Sequence, residues 1–124
     1  GGRLALLSGA DMRVGISPAL PRMFSAQTKK IIGDMRMHRV RSSSDGMRIL
    51  FDEILETLPA AETLLRKGDC VIYGSRDVPD IAASCEGISN PEVFVSRIEG
   101  AFHGDIINMN DTFTAMARFL RNIR

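Results

Sequence analysis

Val71-Ile72-Tyr73-Gly74-Ser75-Arg76-Asp77 and Val93-Phe94-Val95-Ser96-Arg97-Ile98-Glu99-Gly100-Ala101-Phe102-His103 are the two stretches on which the reading of this chain turns. Each begins as an apolar, β-branched run of strand length. Each ends in a glycine-containing turn that carries one side chain able to do chemistry, an acid in the first and a base in the second. Turns that follow parallel strands converge on one edge of their sheet. An aspartate and a histidine presented together on such an edge are two members of a catalytic triad.

Working outward, residues 2–8 read as a short helix closed by Gly9 in the manner of a C-terminal glycine. Residues 12–16 read as a strand, and residues 17–24, with Pro18 and Pro21, as a loop leaving its C-terminal end. A polar, basic helical stretch follows over residues 25–41. Ser44-Asp45 caps a second helix with Met47, Leu50, Ile54, Leu55 and Leu58 at helical spacing, which Pro59 ends. Residues 60–66 form a further helical piece, stopped by Lys67-Gly68. Strand 70–73, a short helix over residues 80–86, strand 93–98 and a closing helix over residues 111–123 complete the pattern. About three strands separated by helical segments imply parallel βαβ units and an α/β fold class, with helices flanking the sheet. At 124 residues the chain is a single α/β domain with room for a core.

The order of acid before base, with a strand and crossover between them, resembles the C-terminal half of the α/β-hydrolase family. In that family the acid follows one late strand in a G-x-x-D turn, and the histidine follows the next in a small-residue turn before the last helix. Gly74-Ser75-Arg76-Asp77 and Gly100-Ala101-Phe102-His103 match that pattern position by position. The resemblance implies a partial α/β-hydrolase fold in which His103 is the base and Asp77 the acid. Asp80, three residues further along the same turn, is the alternative acid. Residues 24–48 fall where the family inserts its lid or cap.

The front of the chain makes the resemblance more specific. The family's nucleophile sits in a G-x-S-x-G elbow at a strained strand-to-helix turn. Gly1-Gly2-Arg3-Leu4-Ala5-Leu6-Leu7 looks like the glycines and first helical turns after such an elbow. On that alignment the nucleophile precedes residue 1, and residues 1–124 hold an acid and a base without it. Gly15-Ile16-Ser17-Pro18-Ala19 imitates the elbow internally. The residue after the nucleophile must lend its N–H to the oxyanion hole, however, and proline has none.

The chemistry so implied is hydrolysis of a small acyl or ester substrate, with no cofactor and no metal. His103 takes and returns the nucleophile's proton, while Asp77 fixes the imidazole tautomer. Without nucleophile or oxyanion hole, residues 1–124 alone are expected to show little or no hydrolysis. The other class of function consistent with the same residues is a non-catalytic interaction domain or a truncated, inactive hydrolase. Either way, a first strand with an uncovered outer edge invites pairing with a second copy of the chain, as a homodimer.

Composition narrows the alternatives. An apolar share of 44% and a charged share of 25% are those of a globular domain, and a net charge of +1 makes no case for nucleic acid. No apolar run reaches the ~20 residues of a membrane span, no secretory leader is read at the start, and a cytoplasmic location is expected. Neither G-x-G-x-x-G after a strand nor G-x-x-x-x-G-K-[ST] is present, which argues against a nucleotide-binding domain. Cys70 reads as a core side chain at the start of a buried strand, and Cys85 as a thiol of undecided setting. The cations Lys29, Lys30, Arg36, Arg39, Arg41 and Arg48 read as a solvated helix face rather than an anion-attracting cover. Asp34 and His38, four residues apart, read as a surface ion pair.

Overall fold

The computed structural model describes residues 2–21, 23–39, 46, 49, 56 and 65–123. Its elements, in chain order, are α1 (Gly2–Leu7), β1 (Val14–Ile16), α2 (Ala26–Arg39), β2 (Cys70–Gly74), α3 (Pro79–Glu86), β3 (Phe94–Ile98) and α4 (Asn110–Asn122), with a 3-10 turn at Ile106–Asn108 before α4. The three strands form one parallel sheet in the order β1-β2-β3, flanked by helices. Register is tight: Ile16 lies opposite Ile72, and Ile72 opposite Ser96.

β2 is the central strand, and all five of its residues are buried, as expected of an apolar run covered on both faces. Because side chains alternate along a strand, β2 feeds two separate cores. Val71 and Tyr73 pack on one face with Leu6 of α1, Leu20, and Val78, Ile81 and Cys85 of the α3 region. Cys70 and Ile72 pack on the other with Ile98, Ala101, Ile106, and Ala115 and Phe119 of α4. Full burial of each large aliphatic side chain here stabilises by about 1.5–3 kcal/mol. Phe94 of β3 meets Phe119 of α4 in a tilted ring pair with centroids 5.7 Å apart. The helix face presented to the sheet is set by the spacing of Thr112, Ala115 and Phe119, while Phe113 and Leu120 face outward.

Several expectations are refined. β1 is three residues long and starts at Val14, with Arg13 O just ahead of it accepting the Cys70 N–H at 2.9 Å and the Arg13 side chain in a buried ion pair with Asp69. Gly9 is not among the residues at positive φ. Instead the Ser8 hydroxyl donates to Ala5 O at 2.7 Å and accepts the Ala10 N–H, closing α1 with a side chain. The helix expected after Ser44-Asp45, with Met47, Leu50, Ile54, Leu55 and Leu58, lies outside the described residues apart from Gly46, Ile49 and Glu56. The piece expected over residues 60–66 lies outside them too, save for Leu65 and Arg66, which are not helical.

Parallel register carries the ends of β1, β2 and β3 to one edge, so Ser17, the Gly74 turn and the Gly100 turn are neighbours there. α1 starts at that edge as well. A Cβ on Gly2 would lie 2.8 Å from Ile16 O and 3.3 Å from the Pro18 Cα. The first turn of the helix therefore backs directly onto the end of β1.

Candidate active site

The acid turn begins where β2 stops. The Asp77 N–H donates to Gly74 O at 3.2 Å, bending the chain so that the carboxylate turns inward, with its side chain wholly buried. The base turn begins one strand over, where Gly100 takes a φ of 75° that other residues adopt at a cost. Three hydrogen bonds knit the turns together. Ser75 N–H donates to Ile98 O at 2.9 Å, Arg76 N–H to Ala101 O at 3.0 Å, and Gly100 N–H to the Ser75 hydroxyl at 2.7 Å. Gly74 is required at this crossing, because a Cβ there would lie 2.7 Å from the Ala101 carbonyl carbon and closer still to its oxygen.

This scaffold sets Asp77 Oδ1 3.0 Å from His103 Nδ1, and Oδ1 also accepts the Val78 N–H at 2.7 Å. A carboxylate only accepts, so the neutral imidazole carries its proton on Nδ1 and leaves Nε2 to take another. The His103 side chain is 39% exposed against 0% for Asp77. The pair therefore has a dry end that holds charge and a wet end that can exchange protons. The Phe102 N–H donates to Asp105 Oδ1 at 2.7 Å, steadying the backbone before the base. At the rim, the exposed Arg76 guanidinium lies 4.1 Å from the centre of the Phe102 ring, a cation-π contact bridging acid turn and base turn.

The other candidates are placed elsewhere. Asp80 accepts the Ser25 N–H at 2.6 Å. Burial raises the Asp80 pKa, but bonds from Ser25 backbone and hydroxyl and from Thr28 outweigh it and leave the carboxyl below its ordinary range. Its role is to hold the segment entering α2. Asp105 serves the base turn, and the 3-10 turn separates it from α4. Ser17 sits at the end of β1 with φ 45°, a strained backbone of the kind an elbow serine has. Its hydroxyl is buried, though, and its N–H donates to Ile72 O at 2.7 Å, an arrangement unsuited to a nucleophile.

Cys70 and Cys85 are free, buried thiols. Burial first, then the Asp69 charge, pushes Cys70 up to about 12, and burial followed by the Asp77 charge pushes Cys85 up to about 12. Neither is a thiolate near neutrality. Lys30 pairs with Asp34 at 2.5 Å and Lys29 with Glu56 at 2.6 Å. The side chains of Arg36, His38, Arg39, Arg41 and Arg48 lie outside the described ones.

Among the described residues, no three His, Cys, Asp or Glu side chains gather as metal ligands, and no helix is long and apolar enough to cross a membrane. A cavity of about 400 Å³ opens at the opposite edge of the sheet, between Lys67, Asp69, Glu92, Phe94, Phe119 and Ile123. It contains neither the acid nor the base. Compared with protein-family models, curated proteins and solved structures, the chain matches none.

The residues that sequence reasoning missed are those that hold the pair in place. Ser75 joins the turns through its hydroxyl, and Arg13 with Asp69 ties the strands together at the far edge. A serine in a turn and single charges before apolar runs carry no local signal of such tasks.

Proposed function

We propose that this chain supplies the acid and base of a serine-type α/β hydrolase acting on small acyl or ester substrates. The observation that carries the reading is the 3.0 Å contact between the buried Asp77 carboxylate and the half-exposed His103 imidazole, held where two parallel strands end. Asp77 fixes the Nδ1–H tautomer and stabilises the imidazolium, while Nε2 accepts the nucleophile's proton and hands it to the leaving group. A nucleophile ahead of Gly1 fits the packing of Gly2 onto Ile16 and Pro18, which starts α1 on the edge that carries the pair. In this reading the outer edge of β1, unpaired among the described residues, takes a further strand or, failing that, a second copy of the chain. Two free, buried cysteines accord with a reducing cytoplasm.

The test compares residues 1–124 alone with the chain extended by whatever its gene encodes ahead of Gly1, each with and without His103→Ala, on short and long acyl esters. The expected result is activity only in the extended form, reduced by about 10²–10⁴-fold or more when the base is removed. Esterase activity indifferent to His103 overturns the acid–base reading of the pair, and no activity in the extended form overturns it in favour of a non-catalytic domain.

A further inference from the structure

The acid turn and the base turn touch through two consecutive pairs of side chains. Asp77 meets His103 at 3.0 Å, and the residues just before them, Arg76 and Phe102, meet with the guanidinium carbon 4.1 Å from the ring centre. The first pair is the acid and base. The second takes no part in moving a proton.

Arg76 is nonetheless held in place. Its N–H donates to Ala101 O at 3.0 Å, the Ser75 N–H beside it donates to Ile98 O at 2.9 Å, and the Ser75 hydroxyl accepts the Gly100 N–H at 2.7 Å. The backbone of Phe102 is fixed in turn, its N–H donating to Asp105 Oδ1 at 2.7 Å. A guanidinium lying over an aromatic ring keeps its planar fork of N–H donors free to bind an anion. The neighbouring carboxylates are engaged elsewhere: Asp77 with Val78 N–H and His103, Asp105 with Phe102 N–H, and Glu99 with Arg97 at 3.5 Å. Arg76 forms no ion pair with a described residue.

We propose that Arg76, held on Phe102, is a specificity-determining residue that binds a carboxylate of the ligand whose reacting group lies at His103. The ligand class is a small acyl ester with one free carboxylate, the monoester of a short dicarboxylic acid. The ester part rests on the hydrolase reading above, the carboxylate part on the Arg76–Phe102 contact. The cation sits over the ring of the residue directly before the base, and consecutive Cα atoms are about 3.8 Å apart. The chain joining carboxylate to ester is therefore a few carbons long. One carboxylate suits the place better than a phosphate, which brings a charge of about −1.5 to −2, because the same two turns already hold Asp77, Glu99 and Asp105. A planar monoanion can take two parallel hydrogen bonds from the guanidinium. Fixing the arginine beforehand lowers the ordering cost of binding.

The experiment has a binding arm and a turnover arm. In the first, monomethyl succinate, glutarate and adipate are titrated into residues 1–124, which on the hydrolase reading lack a nucleophile. NMR follows the Arg76 side-chain N–H and the His103 ring, in a His38→Gln background that leaves His103 the only histidine of the two. At least one monoester should shift both signals saturably, and the dimethyl ester of the same acid should bind about tenfold more weakly, tenfold being ~1.4 kcal/mol. Arg76→Gln should weaken the monoester by a similar factor, and Arg76→Lys, which keeps the charge without the fork, should restore part of it. The Arg76 side chain is exposed, so neither substitution disturbs a core. In the turnover arm, with the extended chain, Arg76→Gln should lower the ratio of kcat/KM for monoester over diester by about tenfold. Saturation by no monoester, equal binding of the diester, or unchanged affinity in Arg76→Gln overturns the proposal. Charge-dependent binding without turnover sinks the hydrolase reading and leaves the carboxylate site standing, whereas turnover without preference for the monoester does the reverse.

Discussion

Gly74 and Gly100 are both turn glycines at the candidate site, and they are needed for different reasons. At Gly100 the constraint is conformational: φ is 75°, and a Cβ there would meet nothing within 4 Å. Gly100→Ala therefore costs about 1–2 kcal/mol of left-handed strain and should leave the Asp77–His103 contact in place. At Gly74 the constraint is space, because the Ala101 backbone passes where the Cβ would be. Backbone cannot rotate away as a side chain can, so Gly74→Ala must push the two turns apart, at about 3 kcal/mol or more. Urea denaturation of both variants, with the His103 imidazole signals as a readout of the contact, should show Gly74→Ala losing more stability and also the hydrogen bond. At this scale the meeting of Asp77 with His103 was legible, because each side chain sits in a glycine-containing turn that closes an apolar run, and parallel strands bring such turns to one edge. The setting of Ser17 was not, since neither its positive φ nor the burial of its hydroxyl is written in Gly15-Ile16-Ser17-Pro18.

Elements depend on the far edge of the sheet, where β1 and β2 begin. Arg13 Nε donates to Asp69 Oδ1 at 2.7 Å, its Nη2 pairs with Oδ2, and its Nη1 donates to Leu6 O at 2.5 Å. Asp69 Oδ2 also accepts the Arg66 N–H at 2.8 Å. One buried ion pair thus joins the end of α1, the approach to β1, the start of β2 and the chain entering it. Taking one charge away leaves the other buried and uncompensated, which costs about 3–5 kcal/mol, whereas replacing both by apolar groups is close to neutral. Asp69→Ala should accordingly lower the unfolding free energy by about 3–5 kcal/mol, and Arg13→Met with Asp69→Leu should recover most of it; calorimetry on the two variants checks this. The strands themselves were legible to within about two residues, since β2 is a continuous apolar run and β3 alternates. The ion pair was not, because a lone charge before an apolar strand reads as a solvated strand end until tertiary pairing is known.

For the whole molecule, a three-stranded parallel sheet with helices on its faces followed from the alternation of apolar runs and helical segments, and burial of β2 supplies its two cores. Each core contains a cysteine, and those two thiols make overall stability depend on alkaline pH. Burial raises both from 9.0 to about 12 in the folded chain. A folded pKa above the unfolded one means the native state keeps its proton after the unfolded state has begun to lose it. The contribution is therefore fully present below about pH 9, the unfolded value, and is lost progressively as pH rises towards 12. Tyr73, raised first by burial, adds in the same direction. At the acid end the sign reverses for Asp80, whose lowered pKa contributes stability above 3.8 that disappears as pH falls through the folded value. Urea midpoints should consequently decline above pH 9, and Cys70→Ala with Cys85→Ala should flatten that decline while lowering stability at neutral pH through lost packing. In the native protein at neutral pH, both thiols should react with an aromatic disulfide reagent only as fast as the chain opens. Prompt labelling of either, or an alkaline slope unchanged without them, would mean that the cores are not closed over these side chains.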